Sequence, residues 1–334
     1  MRKEKDTKWY DFTIAGYVVA NQFLVVDEIP ELGRTVWVKN PDYSRIYFGG
    51  PAMNITYCLG KLGSRVLPVV SHVNDEKKGE LVSLLTSVGA SVDALEDPVP
   101  GSAGVGLMVQ DRHGNHIAFA CRNEEGMKSG PPRAMEESYF TKCSWAILTV
   151  SQAHNARAFL EGVKRYHTPL VFSMKIDEKC FPEQILREIL WEAEIIFMNE
   201  VECRYLEELF GFRDIRVLFE DGNADVIVVT RGERGSTVYH RDHMGELRCE
   251  EIPVTACEKM VDATGAGDAY VAGFMYGLNM GEDMVTCGQY GSTLASFIFE
   301  KMGSMTNAPT LEMLLERNSR RPDVRGGKRA YESD

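Results

Sequence analysis

From Trp145 onward the chain alternates short apolar runs with longer amphipathic segments, and this alternation leaves little choice of fold. Trp145-Ala146-Ile147-Leu148-Thr149-Val150, Leu170-Val171-Phe172, Glu194-Ile195-Ile196-Phe197-Met198 and Asp225 to Val229 are short and almost wholly apolar. Such strands are buried on both faces, as in a parallel sheet between two helical layers. A helical pattern such as Ala153 to Tyr166 stands between them, and Phe12-Thr13-Ile14-Ala15-Gly16 supplies a first strand that ends on glycine. The expected fold is α/β: a doubly wound, mostly parallel sheet with helices on both faces. Ligands of such sheets gather outside the carboxyl ends of the strands.

Two stretches carry hairpin patterns instead. Arg34 to Lys39 and Ser44 to Phe48 flank Asn40-Pro41-Asp42, while Ser102 to Gln110 and His116 to Cys121 flank Asp111-Arg112-His113-Gly114-Asn115. They predict a small β-sheet lid with strands around 33–48 and 101–122. Trp37, Tyr43 and Tyr47 offer more apolar surface than one hairpin buries, so they are expected to cover a substrate or meet a second copy. Residues 1–10 read as a flexible N-terminus and 11–316 as the folded domain. The stretch 317–334, polar and rich in Arg and Gly, reads as a disordered tail.

A net charge of −12 argues against nucleic acid and anionic membrane surfaces as partners. No apolar run approaches spanning length, and no signal-like apolar core follows Met1 to Lys8. Eight cysteines without a Cys-x-x-Cys pair read as reduced thiols, which together with these absences points to a cytoplasmic protein. His240 and His243 have no partner at ligand spacing and read as an exposed polar turn rather than a zinc site.

Chemistry concentrates in Val261-Asp262-Ala263-Thr264-Gly265-Ala266-Gly267-Asp268, which runs into the small and apolar residues Ala269 to Leu278. Glycines at the mouth of a helix bring orphan N–H groups and the positive dipole end to where an anion would sit. Thr264 is the expected N-cap. Asp268 falls in the first turn, where the dipole favours its ionised form. An anion cradle beside a carboxylate suits transfer of a phosphoryl group to a hydroxyl.

The same stretch resembles the second signature of the ribokinase-like (PfkB) carbohydrate kinases, Asp-Thr-x-Gly-Ala-Gly-Asp, with Ala263 in place of the usual Thr. Three further patches follow the family's order. Phe48-Gly49-Gly50-Pro51-Ala52-Met53-Asn54 resembles Gly-Gly-x-x-x-Asn, Asn199-Glu200-Val201-Glu202 matches Asn-x-x-Glu, and Thr230-Arg231-Gly232-Glu233-Arg234-Gly235 is similar to Thr-x-Gly-x-x-Gly. The resemblance implies ATP-dependent phosphorylation of a hydroxyl on a sugar or sugar derivative under the lid. It makes Asp268 the general base and the Gly265, Ala266 and Gly267 amides the anion hole, with Mg²⁺ organised through Asn199 and Glu202. ATP would lie along Asn199, Thr230, Gly232, Gly235, Gly265, Gly267 and Gly303, with a monovalent cation such as K⁺ near the last of these. The acceptor would meet Asn21, Gly49, Gly50, Asn54, Arg122 and Asp268, although a surface role for Arg122 fits as well. Arg231 and Arg234 would add local positive charge. The implied assembly is a homodimer through the lid.

Three departures bear on substrate. Asn21 stands where the family carries an Asp, so the grip on hydroxyls loses its charge. The turn Asn74-Asp75-Glu76-Lys77-Lys78-Gly79 lacks the family's first glycine. Ser173-Met174-Lys175-Ile176-Asp177 replaces an Asp-x-Asn-x-Arg pattern; Lys175 could meet a phosphate as a point charge, but a solvated lysine is the favoured reading. The alternatives are a nucleoside kinase of the same family and a catalytically silent sugar-binding regulator.

Overall fold

The computed structural model describes residues 9–71, 75–96, 104–112, 116–121 and 133–321. Its main sheet has nine strands: β1 (Tyr10–Tyr17), β4 (Val66–Ser71), β5 (Leu95–Glu96), β8 (Cys143–Leu148), β9 (Leu170–Ser173), β10 (Ile195–Asn199), β11 (Val226–Thr230), β12 (Ser236–Arg241) and β13 (Leu247–Ile252). They lie in the order β13-β12-β11-β10-β9-β8-β1-β4-β5. All neighbours are parallel except along β11-β12-β13, where the chain returns through hairpins. From β1 the order runs one way to β4 and β5 and the other way from β8 to β11. That reversal opens a crevice at the carboxyl ends of the strands.

Two cores follow from the period-two alternation of side chains along each strand. Phe12, Ile14, Ile195, Phe197, Val226 and Val228 enter the core on one face, with the helices Pro51–Lys61, Ala266–Met280 and Met284–Ile298. Ala15, Ile196, Met198, Ile227 and Val229 enter the other, with the helices Ala153–Tyr166 and Glu183–Glu192. The apolar runs are therefore apolar throughout because neither side of the sheet meets water. No helix among the described residues is long and apolar enough to cross a membrane.

The lid is a separate sheet of four strands, β2 (Val19–Val25), β3 (Ile46–Gly49), β6 (Gly104–Gln110) and β7 (His116–Cys121), in the order β3-β2-β6-β7. The second expected hairpin forms, with β6 and β7 antiparallel. The first does not. Residues 34–39 form no strand, and β3 pairs instead with β2, from Val19 opposite Gly49 to Gln22 opposite Ile46. Val19–Val25 wins because it leaves β1 with one residue between and pairs along its whole length with β6. The 34–40 stretch caps the end of β2 instead: Asn40 accepts the Val25 N–H at 2.8 Å and donates to the Phe23 carbonyl at 3.0 Å.

Both ends of the folded region extend beyond expectation. Tyr10 opens β1, and the Trp9 N–H donates to the Lys142 carbonyl. The helix Leu311–Ser319 carries Arg317 inward, where it pairs with Glu300 at 2.9 Å and stacks on Phe297. Arg317 is thus packed against the domain, and its helix runs on to Ser319. Residues 322–334 lie outside the described residues.

The helices Ala266–Met280 and Met284–Ile298 approach through glycine. A Cβ on Gly273 would come within 2.5 Å of the Tyr290 carbonyl oxygen and 2.9 Å of the Gly291 Cα. Backbone cannot yield as a flexible side chain does, so Gly273→Ala should destabilise the chain by about 1–3 kcal/mol, the usual cost of overpacking. The check is the urea midpoint at unchanged slope; an unaltered midpoint would mean that the helix pair is looser than described.

Candidate active site

The loop before the helix Ala266–Met280 is built around Asp262. Its Oδ1 accepts the N–H of Thr264 at 2.9 Å, and its Oδ2 accepts the N–H of Gly303 at 2.8 Å. Gly265, not Thr264, is the N-cap residue, with φ +82° and no side-chain cap. The reason is steric. Gly265 presses on Ser304, whose Cβ would lie 2.5 Å from any Cβ placed there, and the left-handed turn favours glycine. The Ala266 N–H turns back to the Ala263 carbonyl at 3.2 Å. A Cβ on Gly267 would meet nothing within 4 Å, so the helix mouth opens on free space.

Asp268 lies one residue further and is 6% exposed. Its Oδ2 accepts the Asn54 amide N–H at 2.7 Å, and the Asn54 oxygen accepts the Ser304 hydroxyl at 2.7 Å. Asn54 therefore reaches Asp268 from the first turn of the helix Pro51–Lys61 and is engaged by protein at both ends. Burial pushes the Asp268 carboxyl above its usual range, against which Lys175 and the Asn54 hydrogen bond act. The dipole of the helix does not by itself keep this group in the ordinary carboxylate range.

Asn199 and Glu202 come together as a capping box at the end of β10. The Asn199 side-chain oxygen accepts the N–H groups of Val201 and Glu202, both at 2.9 Å, and Glu202 Oε2 accepts the Asn199 N–H at 2.8 Å. Glu202 is buried, and burial raises its carboxyl, aided by the charge of Asp268 and opposed by Lys175. Its Oε1 faces Lys175 Nζ at 3.7 Å. Lys175 is thus not a solvated lysine; it is a half-buried cation between two carboxylates. Glu202 Oε1 is an oxygen that the capping box leaves over. A Mg²⁺ that keeps most of its waters fits such a donor, with Asn199 contributing by holding Glu202 in place. Among the described residues no group of three or more His, Cys, Asp or Glu forms a closed metal cage.

Two cavities meet at Thr230, Gly267 and Tyr270. One contains Lys175, Asn199, Glu202 and Asp268; the other is a largely apolar groove between Gly232, Gly235, Val254, Ala266, Ala295 and Phe299. Tyr270 fixes the wall between them through its hydroxyl, 2.6 Å from Ser236 Oγ. Gly303 does not line that groove. It faces the lid, where a Cβ would crowd Thr306 and the Tyr47 ring. Arg231 and Arg234 pair with Glu251 and Glu200, so neighbouring carboxylates offset the local positive charge expected of them.

On the lid side, Asn21 sits in β2 with its amide over Gly49, where a Cβ would stand 2.6 Å from Nδ2. That same Cβ would lie 3.3 Å from Ser304 Oγ and 3.8 Å from Asn54 Oδ1. Asn21, Gly49, Ser304, Asn54 and Asp268 are thus neighbours in turn from the lid to the helix mouth, whereas Gly50 faces the Tyr17 carbonyl. Arg122 lies outside the described residues. Asp262, Tyr270 and Ser304 carry no signal in the sequence for the contacts they make here, whereas Lys175 stands just past an apolar strand as a cation able to meet a phosphate.

A family model described as pfkB family carbohydrate kinase matches residues 18–311. The chain is 28% identical over 317 residues to a nucleoside kinase of Methanocaldococcus jannaschii, covering 93% of this chain and 97% of that one. The crystal structure of the Methanocaldococcus jannaschii nucleoside kinase resembles the present one with a TM-score of 0.79 at 25% identity, covering 94% of this chain and 99% of that chain. A 5-dehydro-2-deoxygluconokinase of Bacillus subtilis is 24% identical over 306 residues, 82% of this chain and 88% of its own. The Arabidopsis thaliana ribokinase, solved with ribose and ATP, shares the fold with a TM-score of 0.76 at 19% identity, covering 92% of this chain and 98% of that chain.

Proposed function

The chain belongs to the pfkB family of carbohydrate kinases, and from that premise we propose that it transfers the terminal phosphoryl group of ATP to a hydroxyl of a nucleoside. The observation that carries the transfer is the Asp268 carboxylate, held by Asn54 at 2.7 Å beside the open mouth of the helix Ala266–Met280. Nucleoside is preferred to free sugar because the Methanocaldococcus jannaschii nucleoside kinase matches nearly end to end. The uncharged Asn21 suits that choice, since a base contributes apolar surface that a bare sugar lacks. A free sugar or sugar acid is the second reading, favoured by the Bacillus subtilis relative.

In this reading the adenine occupies the groove by Val254 and Phe299, and the phosphates pass Thr230 toward Gly265 and Gly267. Helix-mouth amides and Lys175 meet charge that develops on the transferred group. Asp268 accepts the acceptor's hydroxyl proton as the new P–O bond forms. Proton transfer comes late in a loose transition state, so a carboxylate suffices as base. Mg²⁺ bound with the nucleotide, held through water by Glu202, would neutralise phosphate charge. The lid excludes water that would otherwise accept the phosphoryl group.

We also infer a homodimer through the lid. Trp37, at 83%, and Tyr43 and Phe119 are exposed large apolar side chains of the lid region that a second copy would cover. A single-chain mass by light scattering at micromolar concentration would remove that inference.

Two further measurements test the proposal. Asp268→Asn should lower turnover about 10²- to 10⁴-fold, the range for loss of a positioned base, and near-normal turnover would exclude that role. Across a panel of nucleosides, pentoses, hexoses and sugar acids, ATP consumption should be fastest with a nucleoside. A preference for a sugar acid selects the second reading, and no acceptor-dependent ADP release favours a silent binding protein.

A further inference from the structure

We propose that Ser304 is a positioning residue for Asp268, acting through the Asn54 amide, whose orientation its hydroxyl fixes. The proposal rests on the reading of Asp268 as the base. An ionised carboxylate only accepts hydrogen bonds, so the amide must present its NH₂ end to Asp268. It does so at 2.7 Å, and its oxygen is left pointing the opposite way, where Ser304 Oγ donates at 2.7 Å. Asn54, Ser304 and Asp268 are 3%, 4% and 6% exposed, which denies the amide a substitute partner from bulk water. Without the serine hydroxyl the amide oxygen loses its donor, and a flipped amide would set that oxygen against the carboxylate. Either outcome weakens the hold on Asp268.

Ser304 is itself placed by the loop that shapes the helix mouth. Its neighbour Gly303 donates to Asp262 Oδ2, whose Oδ1 receives Thr264, and Gly265 packs on Ser304. One loop therefore sets both the anion cradle and the orientation of the base. Among the described residues, the charged and titratable groups facing Asp268 are Lys175 after β9, Glu202 on the helix Glu200–Phe210 and Cys58 on the helix Pro51–Lys61. Lys175 favours the ionised form, and the Asn54 hydrogen bond adds to it. Loosening Asn54 makes Asp268 hold its proton to higher pH.

The test compares Ser304→Ala, Asn54→Ala and the double variant with Asp268→Asn in the full chain, using ATP and the best acceptor of the panel. Ser304→Ala should lower kcat about 10- to 100-fold, as small misplacements of a reacting group do, and leave the acceptor KM within about twofold. The acid limb of its kcat profile should move to higher pH. In the Asn54→Ala background the serine change should add nothing, because no amide remains to be held. Ser304→Cys keeps the volume with a weak donor and replaces the alanine variant if thermal unfolding shows the latter unstable. Unchanged kcat in the serine variants, losses that multiply in the double variant, or an effect confined to acceptor KM would each overturn the proposal. If Asp268→Asn loses turnover while Ser304→Ala keeps it, the positioning role alone falls; if Asp268→Asn keeps turnover, the base reading falls with it.

Discussion

The Asp262 carboxylate gathers two backbone N–H groups that are distant in sequence, one from Thr264 and one from Gly303. Neither loop belongs to a strand or helix at that point, so neither has a ladder to satisfy its donors. A carboxylate can accept several N–H bonds at once and is 7% exposed here, which makes the junction stiff. Everything at the site is referred to it: the turn at Gly265, the open mouth beyond Gly267, and the Ser304 hydroxyl that meets Asn54. Through Ser304 and its hydrogen bond to Asn54, this junction reaches the first half of the fold.

Burial at the site has a cost that the structure offsets locally. Asp268 and Glu202 are both withdrawn from water and each disfavours the charge of the other. Lys175 lies within 3.7 Å of one and acts on both. The remaining stabilisation comes from hydrogen bonds, from Asn54 to Asp268 and from the Asn199 backbone to Glu202. Such a cluster is tuned rather than strongly bound, since small changes in any partner shift the protonation of the others.

Features that depend on neighbours in sequence were legible. The apolar strands, the Gly-Gly-x-x-x-Asn and Asn-x-x-Glu turns and the glycine-bounded helix ends need only local spacing, and they appear where the spacing placed them. Contacts made by tertiary closure were not. Asn54 and Asp268 are 214 residues apart, and Ser304 and Asn54 are 250 apart, so no pattern in either segment announces the other. The lid shows a different limit. Arg34 to Lys39 has good strand composition, but its expected partner Ile46–Gly49 pairs with Val19–Val25, and Asn40 holds the stretch at the end of that strand instead. The two arginines after β11 illustrate a third: charge can be counted from sequence, while its cancellation by Glu200 and Glu251 requires coordinates.

That cancellation shapes how an anion experiences this molecule. Seen from beyond a Debye length, the protein is an acidic body that repels a polyphosphate. With Arg231 and Arg234 paired to Glu251 and Glu200, the cation among the described residues lining the two cavities is Lys175, whose reach is a few ångströms. For an anionic guest, fit then counts before charge: one that seats badly gains almost nothing from so short a reach.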